Sequence, residues 1–196
     1  MKIFYYIIQW TWGIVMNIIG LCVFLFAKIK KYETYKYRNA ICIVAPTNFG
    51  GLELGMFFIR GKDNQSVCPH EYGHGIQNLW WGPLFPFVIA IPSAFRYWVR
   101  NFKNTEEKKD FATTVFVIAL IPLCIITILS LCLSWLAVAI IGFLLMCYLI
   151  GLFLWMMLKE IPKYNNYAYV PYDSIWFEGQ ATNLGTRANN GEWSWL

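Results

Sequence analysis

Long apolar stretches separated by short polar ones set the frame of this chain. Ile3 to Ile29 is apolar apart from Gln9, Thr11, Asn17 and Lys28. It is long enough to cross a bilayer, which takes about 20 residues. Leu84 to Val99 is apolar but interrupted by Pro86 and Pro92. At about 16 residues it is short for a full crossing, so it reads as a re-entrant or interfacial segment. Phe111 to Leu158 is almost continuously apolar. It is too long for one span and right for two, with a turn expected near Ser130 to Trp135.

The shorter segments between these runs carry different patterns. Ala40 to Ala45 is β-branched and apolar, and reads as a strand. Phe49 to Gly55 is a glycine-rich turn region, and Met56 to Ile59 reads as a second short strand. Arg60 to Gln65 is a polar loop. Pro69 suits the first position of a helix, where its missing N–H costs nothing. That helix is predicted over 69–81 and ends at Gly82-Pro83. Asn165 to Tyr172 is a tyrosine-rich loop, and Asp173 to Leu184 reads as an amphipathic helix with Gly185 as its stop. The tail is polar, with Trp193 and Trp195 suited to a membrane interface.

These elements predict a mainly α, integral-membrane protein. About three transmembrane helices and one partial, re-entrant segment would form a single membrane domain over 1–196. Its parts are an N-terminal anchor (1–29), strands and a first polar helix (40–100), a transmembrane hairpin (111–158) and a second polar helix (167–185). No internal repeat stands out.

Composition agrees. The chain is 58% hydrophobic and 19% aromatic, and only 14% of its residues are charged; soluble domains carry about 25%. The net charge is +5. No run of basic residues is interleaved with aromatics as a nucleic-acid groove would need, so nucleic acid is not an expected partner. Lys28, Lys30, Lys31, Lys36 and Arg38 follow the first apolar run, while only Lys2 precedes it. This bias places the C-terminal end of that run in the cytoplasm. The six cysteines form no C-x-x-C pair, and they read as small buried apolar residues in a reducing compartment.

The chemistry is concentrated in His70-Glu71-Tyr72-Gly73-His74, which holds both histidines of the chain. On a helix, positions i and i+4 share a face, so both imidazoles can point at one metal ion. Glu71 falls beside them, where a carboxylate can take a proton from metal-activated water as general base. The pattern is that of a zinc metallopeptidase, with one Zn²⁺ as cofactor. Such a site uses three protein ligands and leaves one position for water. With no third histidine, the remaining ligand is an Asp, Glu or Cys. Glu53 and Glu160 are weaker candidates, and Cys68 is more readily a structural residue. Tyr72 reads as packing. Gln77 and Asn78 read as solvated helix-surface residues, and the aromatics at Trp80, Trp81, Phe85, Phe87, Tyr97 and Trp98 as an interfacial belt.

Trp176-Phe177-Glu178-Gly179-Gln180-Ala181-Thr182 resembles the E-x-x-A-D helix of membrane gluzincins such as the HtpX-like heat-shock proteases and the CAAX prenyl proteases. The resemblance implies that Glu178 is the third ligand, joining His70 and His74. It also puts a second-shell residue at Thr182, where the family has Asp. The Asp supports a zinc-bound histidine there; a threonine hydroxyl can accept the same hydrogen bond more weakly. The chain is also similar to small bacterial integral-membrane proteins of largely unassigned activity. That similarity rests on Gly55 to Ile59, His70 to Asn78, Gly82-Pro83-Leu84, Pro92-Ser93 and the Glu178 helix.

Charge bias and this ligand set agree on topology. If Leu84 to Val99 does not cross, Lys28 to Asp110 and Lys159 to Leu196 share the cytoplasmic side, and the histidines share it with Glu178. The expected location is the inner or plasma membrane, with a multi-pass chain and an active site at or near the cytoplasmic face. The expected substrate is a peptide or membrane protein, and the lipid bilayer is the other partner. Tyr169, Tyr172 and Arg187 are oxyanion candidates by position, and Met56 to Ile59 could pair with substrate along its edge. An oligomer remains open, since three spans give little shelter to a polar site. The alternative function is a metal-binding but weakly or non-catalytic membrane protein, with a sensor, chaperone or immunity-type role. A structural membrane protein with a coincidental motif is the third reading.

Overall fold

The computed structural model describes residues 2–166 and 169–192. Trp193 and Trp195, expected at an interface, lie outside the described residues. The protein is mainly helical with one small sheet. It divides into two compact units, one of Met1–Ile91 with Pro171–Leu196 and one of Pro92–Val170.

In the first unit the N-terminal apolar run is not one straight helix. α1 (Lys2–Thr11) and α2 (Ile14–Ile29) meet at an angle of 95°. The polar exceptions in the sequence explain the break. The Asn17 amide donates to the Gly13 carbonyl and to Gln9 Oε1, both at 3.1 Å. Asn17 Oδ1 in turn accepts from the Met56 N–H at 2.6 Å. Gln9 Nε2 reaches the Gly75 carbonyl at 3.1 Å. Gln9 and Asn17 are fully buried, so burial requires these partners. They hold the elbow against the rest of the unit.

The sheet has the order β1-β2-β4-β3, formed by β1 (Thr34–Tyr37), β2 (Ala40–Ala45), β3 (Gly51–Leu54) and β4 (Phe57–Gly61). β1 and β2 form a hairpin, β2 and β4 pair in parallel, and β3 returns antiparallel to β4. The second expected strand is therefore interior. β4 has a neighbour on each side, so its edge cannot take a substrate; the sheet edges are β1 and β3. Glu53, read as a turn residue, lies in β3, and the turn proper is Gly55, whose φ of +76° favours glycine.

α3 (Cys68–Trp81) carries the H-E-x-x-H motif and packs on this sheet and on the C-terminal helix. After it come a 3₁₀ turn (Gly82–Leu84), a π turn (Pro86–Ala90) and α4 (Ile91–Arg100). The expected partial segment is thus helical, broken near its prolines, and the chain passes from the first unit to the second within it.

The second unit holds the hairpin. α5 (Thr105–Cys132) and α6 (Leu136–Trp155) are joined at Leu133 to Trp135, as the sequence predicts, and a π turn extends α6 to Glu160. Thr105–Cys132 and Leu136–Glu160 are each long and apolar enough to cross a membrane, and the bent α1–α2 pair makes three if it counts as one span. A Cβ on Gly142 would overlap the Thr127 hydroxyl, so the two helices cross closely there. At the polar end, the fully buried Arg96 and Glu160 form an ion pair, which Lys163 joins at 2.8 Å from the start of the short α7 (Lys163–Asn166). Glu160 is thereby committed to cations of its own unit.

α8 (Trp176–Asn189) belongs to the first unit. It runs beyond Gly185, which is no stop. A Cβ on Gly185 would overlap the Pro69 carbonyl, and one on Gly73 would overlap the Ala181 carbonyl. Both glycines serve the close approach of α3 and α8.

Candidate metal site

The α3–α8 contact brings three donor atoms together. His70 Nε2, His74 Nε2 and Glu178 Oε2 stand at the corners of a triangle with every side 3.1 Å. A tetrahedral ion with bonds of about 2.0–2.1 Å needs ligand atoms roughly 3.3 Å apart. The triangle fits, and the His-His-Glu group could hold a metal ion. Glu178 is fully buried, and the His70 side chain is 18% exposed. An anionic carboxylate in such a place needs a cation or proton donors to offset its desolvation.

Each imidazole has a partner on its other nitrogen. His70 Nδ1 lies 3.0 Å from Thr182 Oγ1, one helical turn after Glu178. His74 Nδ1 lies 2.7 Å from Gln77 Oε1. Ligand histidines are usually oriented by such contacts. Gln77 was expected on a solvated face, and Asn78 with it. Both are fully buried instead. Asn78 Nδ2 donates to Gln9 Oε1 at 2.8 Å, tying the motif helix to the N-terminal elbow. The signal in the sequence was the pair itself, two amides one turn beyond the motif, matched by Gln9 and Asn17 in an apolar run.

Glu71 is buried beside the triangle, against β3. A Cβ on Gly51 would overlap its carboxylate, so the missing side chain makes its berth. Burial pushes the Glu71 carboxyl up to about 8, against the pull of His70, and the negative charge of Glu178 adds to the rise. Glu53 is two residues after Gly51 and so projects from the same face of β3. It too is buried and raised well above 4.5, by desolvation first and by Glu71 in addition, while the Gly55 N–H opposes the shift. Its Oε1 accepts from that N–H.

The other expected residues fall as follows. Tyr172 stands beside the site, with its ring 6.0 Å from that of His70. Arg187 is exposed near the end of α8 and pairs with Glu192 at 2.6 Å. Tyr169 is largely exposed and belongs to the second unit. Cys68 turns to Tyr35, 3.5 Å away, and to Cys42. Tyr72 is packed between Tyr37 and Arg38, as expected. Phe85 is no part of an exposed belt: it is buried, with its ring 6.4 Å from that of His74.

Compared with family models, with curated proteins and with solved structures, the chain matches none. Fold and site together define a mainly helical protein with two or three candidate membrane spans and a buried His-His-Glu group able to hold a metal ion.

Proposed function

We propose that this chain is a membrane-embedded zinc metallopeptidase. The observation that carries the reading is the 3.1 Å triangle of His70, His74 and Glu178 with a buried carboxylate, Glu71, beside it. Two imidazoles and one carboxylate are a donor set that suits zinc, and three protein ligands leave a position for water and substrate. When bound, such an ion supplies the Lewis acid of the reaction, lowering the pKa of water towards about 7 and polarising the peptide carbonyl. Glu71 takes the proton of the attacking water and passes it to the leaving amine. Tyr172, beside His70, is the oxyanion donor that position favours. β3 is an edge strand next to Glu71, and its backbone can pair with an extended peptide. The resemblance of the Glu178 helix to membrane gluzincins supports the same reading. The positive bias of the polar segments supports a site at the cytoplasmic face.

The test is zinc content and proteolysis of the detergent-purified protein. Wild type should hold about one zinc per chain, lost in His74→Ala and in Glu178→Ala. Glu71→Gln should keep the zinc and lose the activity. Absence of zinc in wild type after metal repletion would sink the proposal.

One observation favours a second reading. Thr182 stands where membrane gluzincins carry Asp, and its hydroxyl is the weaker partner for His70. A metal-binding but weakly catalytic protein, with a sensor, chaperone or immunity-type role, would show the same zinc stoichiometry. It would show no activity for Glu71→Gln to remove.

A further inference from the structure

The histidine tautomer at the site follows from groups that lie outside the ligand set. A neutral imidazole carries its proton on one nitrogen and a lone pair on the other, and only the lone pair can bind a metal. For His74 the deciding neighbour is Gln77, three residues later on the same face of α3 and fully buried. The Gln77 amide nitrogen donates to the Phe177 carbonyl at 2.8 Å and to Gln180 Oε1 at 2.9 Å. A backbone carbonyl can only accept. Both amide protons are therefore directed at α8, and the amide oxygen is left facing His74 Nδ1 at 2.7 Å. An oxygen there requires a proton on Nδ1. The lone pair then falls on Nε2, which points to His70 Nε2 and Glu178 Oε2.

We propose that Gln77 is a positioning residue through which α8 fixes the metal-ready tautomer of His74 before any ion arrives. The inference rests on reading His70, His74 and Glu178 as ligands. It gives α8 a second task beside supplying Glu178. The residues flanking Glu178, Phe177 and Gln180, hold the amide that sets the state of the opposite histidine. Reversing the amide would set its NH₂ against Nδ1 and its oxygen against the Phe177 carbonyl, which can only accept. That arrangement leaves buried polar groups unpaired.

The experiment uses the full chain in detergent, metal-free, with ¹⁵N-labelled histidine. Long-range ¹H–¹⁵N correlation reports the protonated nitrogen of each ring. The two histidines are distinguished with His70→Ala. The expected result is Nδ1–H for His74 in wild type and a mixture in Gln77→Leu. Zinc affinity should fall roughly 10–100-fold in Gln77→Leu. Gln180→Glu keeps an acceptor for the amide and should leave the tautomer as it is. Finding Nε2–H for His74 in the metal-free wild type overturns the proposal, and this result needs no variant to fold. An unchanged tautomer in a folded Gln77→Leu also overturns it. The spectrum needs neither metal nor activity. A protein with Nδ1–H at His74 and no zinc binding would defeat the peptidase reading and leave the tautomer assignment standing.

Discussion

Gly73 of the motif helix lies against the carbonyl of Ala181 on the opposite helix, leaving no room for a Cβ between them. Gly185 meets the Pro69 carbonyl in the same way. The two contacts set the separation of α3 and α8, and so the span between the two histidines and Glu178. The obstacles are the Ala181 and Pro69 carbonyls, backbone atoms that cannot rotate aside. Gly73→Ala should therefore push the helices apart and cost about 1–3 kcal/mol of stability, as overpacking does. Zinc affinity should fall with it although no ligand is touched. Thermal unfolding and a zinc competition titration check the two effects; unchanged affinity in a folded Gly73→Ala would show that the helix spacing does not set the site.

Thr182 supports a second prediction. Its hydroxyl is 3.0 Å from His70 Nδ1. Thr182→Val removes the partner and should weaken zinc binding by roughly 10–100-fold. Thr182→Asp supplies a charged acceptor, which makes a stronger hydrogen bond. It should tighten binding relative to wild type. If both variants bind zinc as wild type does, the contact contributes nothing to the site.

Much of this was legible in the sequence. His70 and His74 follow from helical spacing alone, and the two hairpin helices from an apolar run too long for one span. What escaped was whatever depends on partners distant in the chain. β1 and β3 are only four residues each, and β3 begins at a glycine whose role is to admit Glu71. Gly185 looks like a helix stop locally, but the neighbouring helix uses it for close approach. The run Ile3 to Ile29 reads as one anchor, so the elbow at Gly13 escaped as well, although Gln9 and Asn17 are amides that a lipid-facing span would not carry. Their partners, Gly75, Asn78 and Met56, could be found only in the fold.

On the proposed peptidase reading, Gly51 bears on catalysis without touching His70, His74 or Glu178. A Cβ there would occupy the space of the Glu71 carboxylate. Gly51→Ala should displace the Glu71 carboxylate while the His70, His74 and Glu178 triangle stays intact. A shift of the order of 1 Å at a reacting group costs roughly 100-fold in rate. The expected outcome is zinc content equal to wild type and a kcat lower by roughly that factor. Parallel loss of zinc and activity would instead place Gly51 in the support of the metal site.

Glu53 gives a pH dependence of stability that can be worked out in sign. Its carboxyl is held above 4.5 in the folded protein, chiefly by burial, with Glu71 as the like charge nearby. Below the ordinary value the group is protonated in both folded and unfolded chains, and its titration contributes nothing. Above it the unfolded chain releases a proton that the native protein retains. The native state then binds more protons, so stability falls as pH rises until the native value is passed. Glu53→Gln removes this term and keeps an oxygen to accept from the Gly55 N–H. The metal-free variant should match wild type near pH 4, unfold at a higher temperature than wild type near pH 8, and show a shallower decline between. Equal slopes for the two proteins would mean that Glu53 titrates in the folded chain as it does in the unfolded one, and that the carboxyl beside Glu71 is not held neutral.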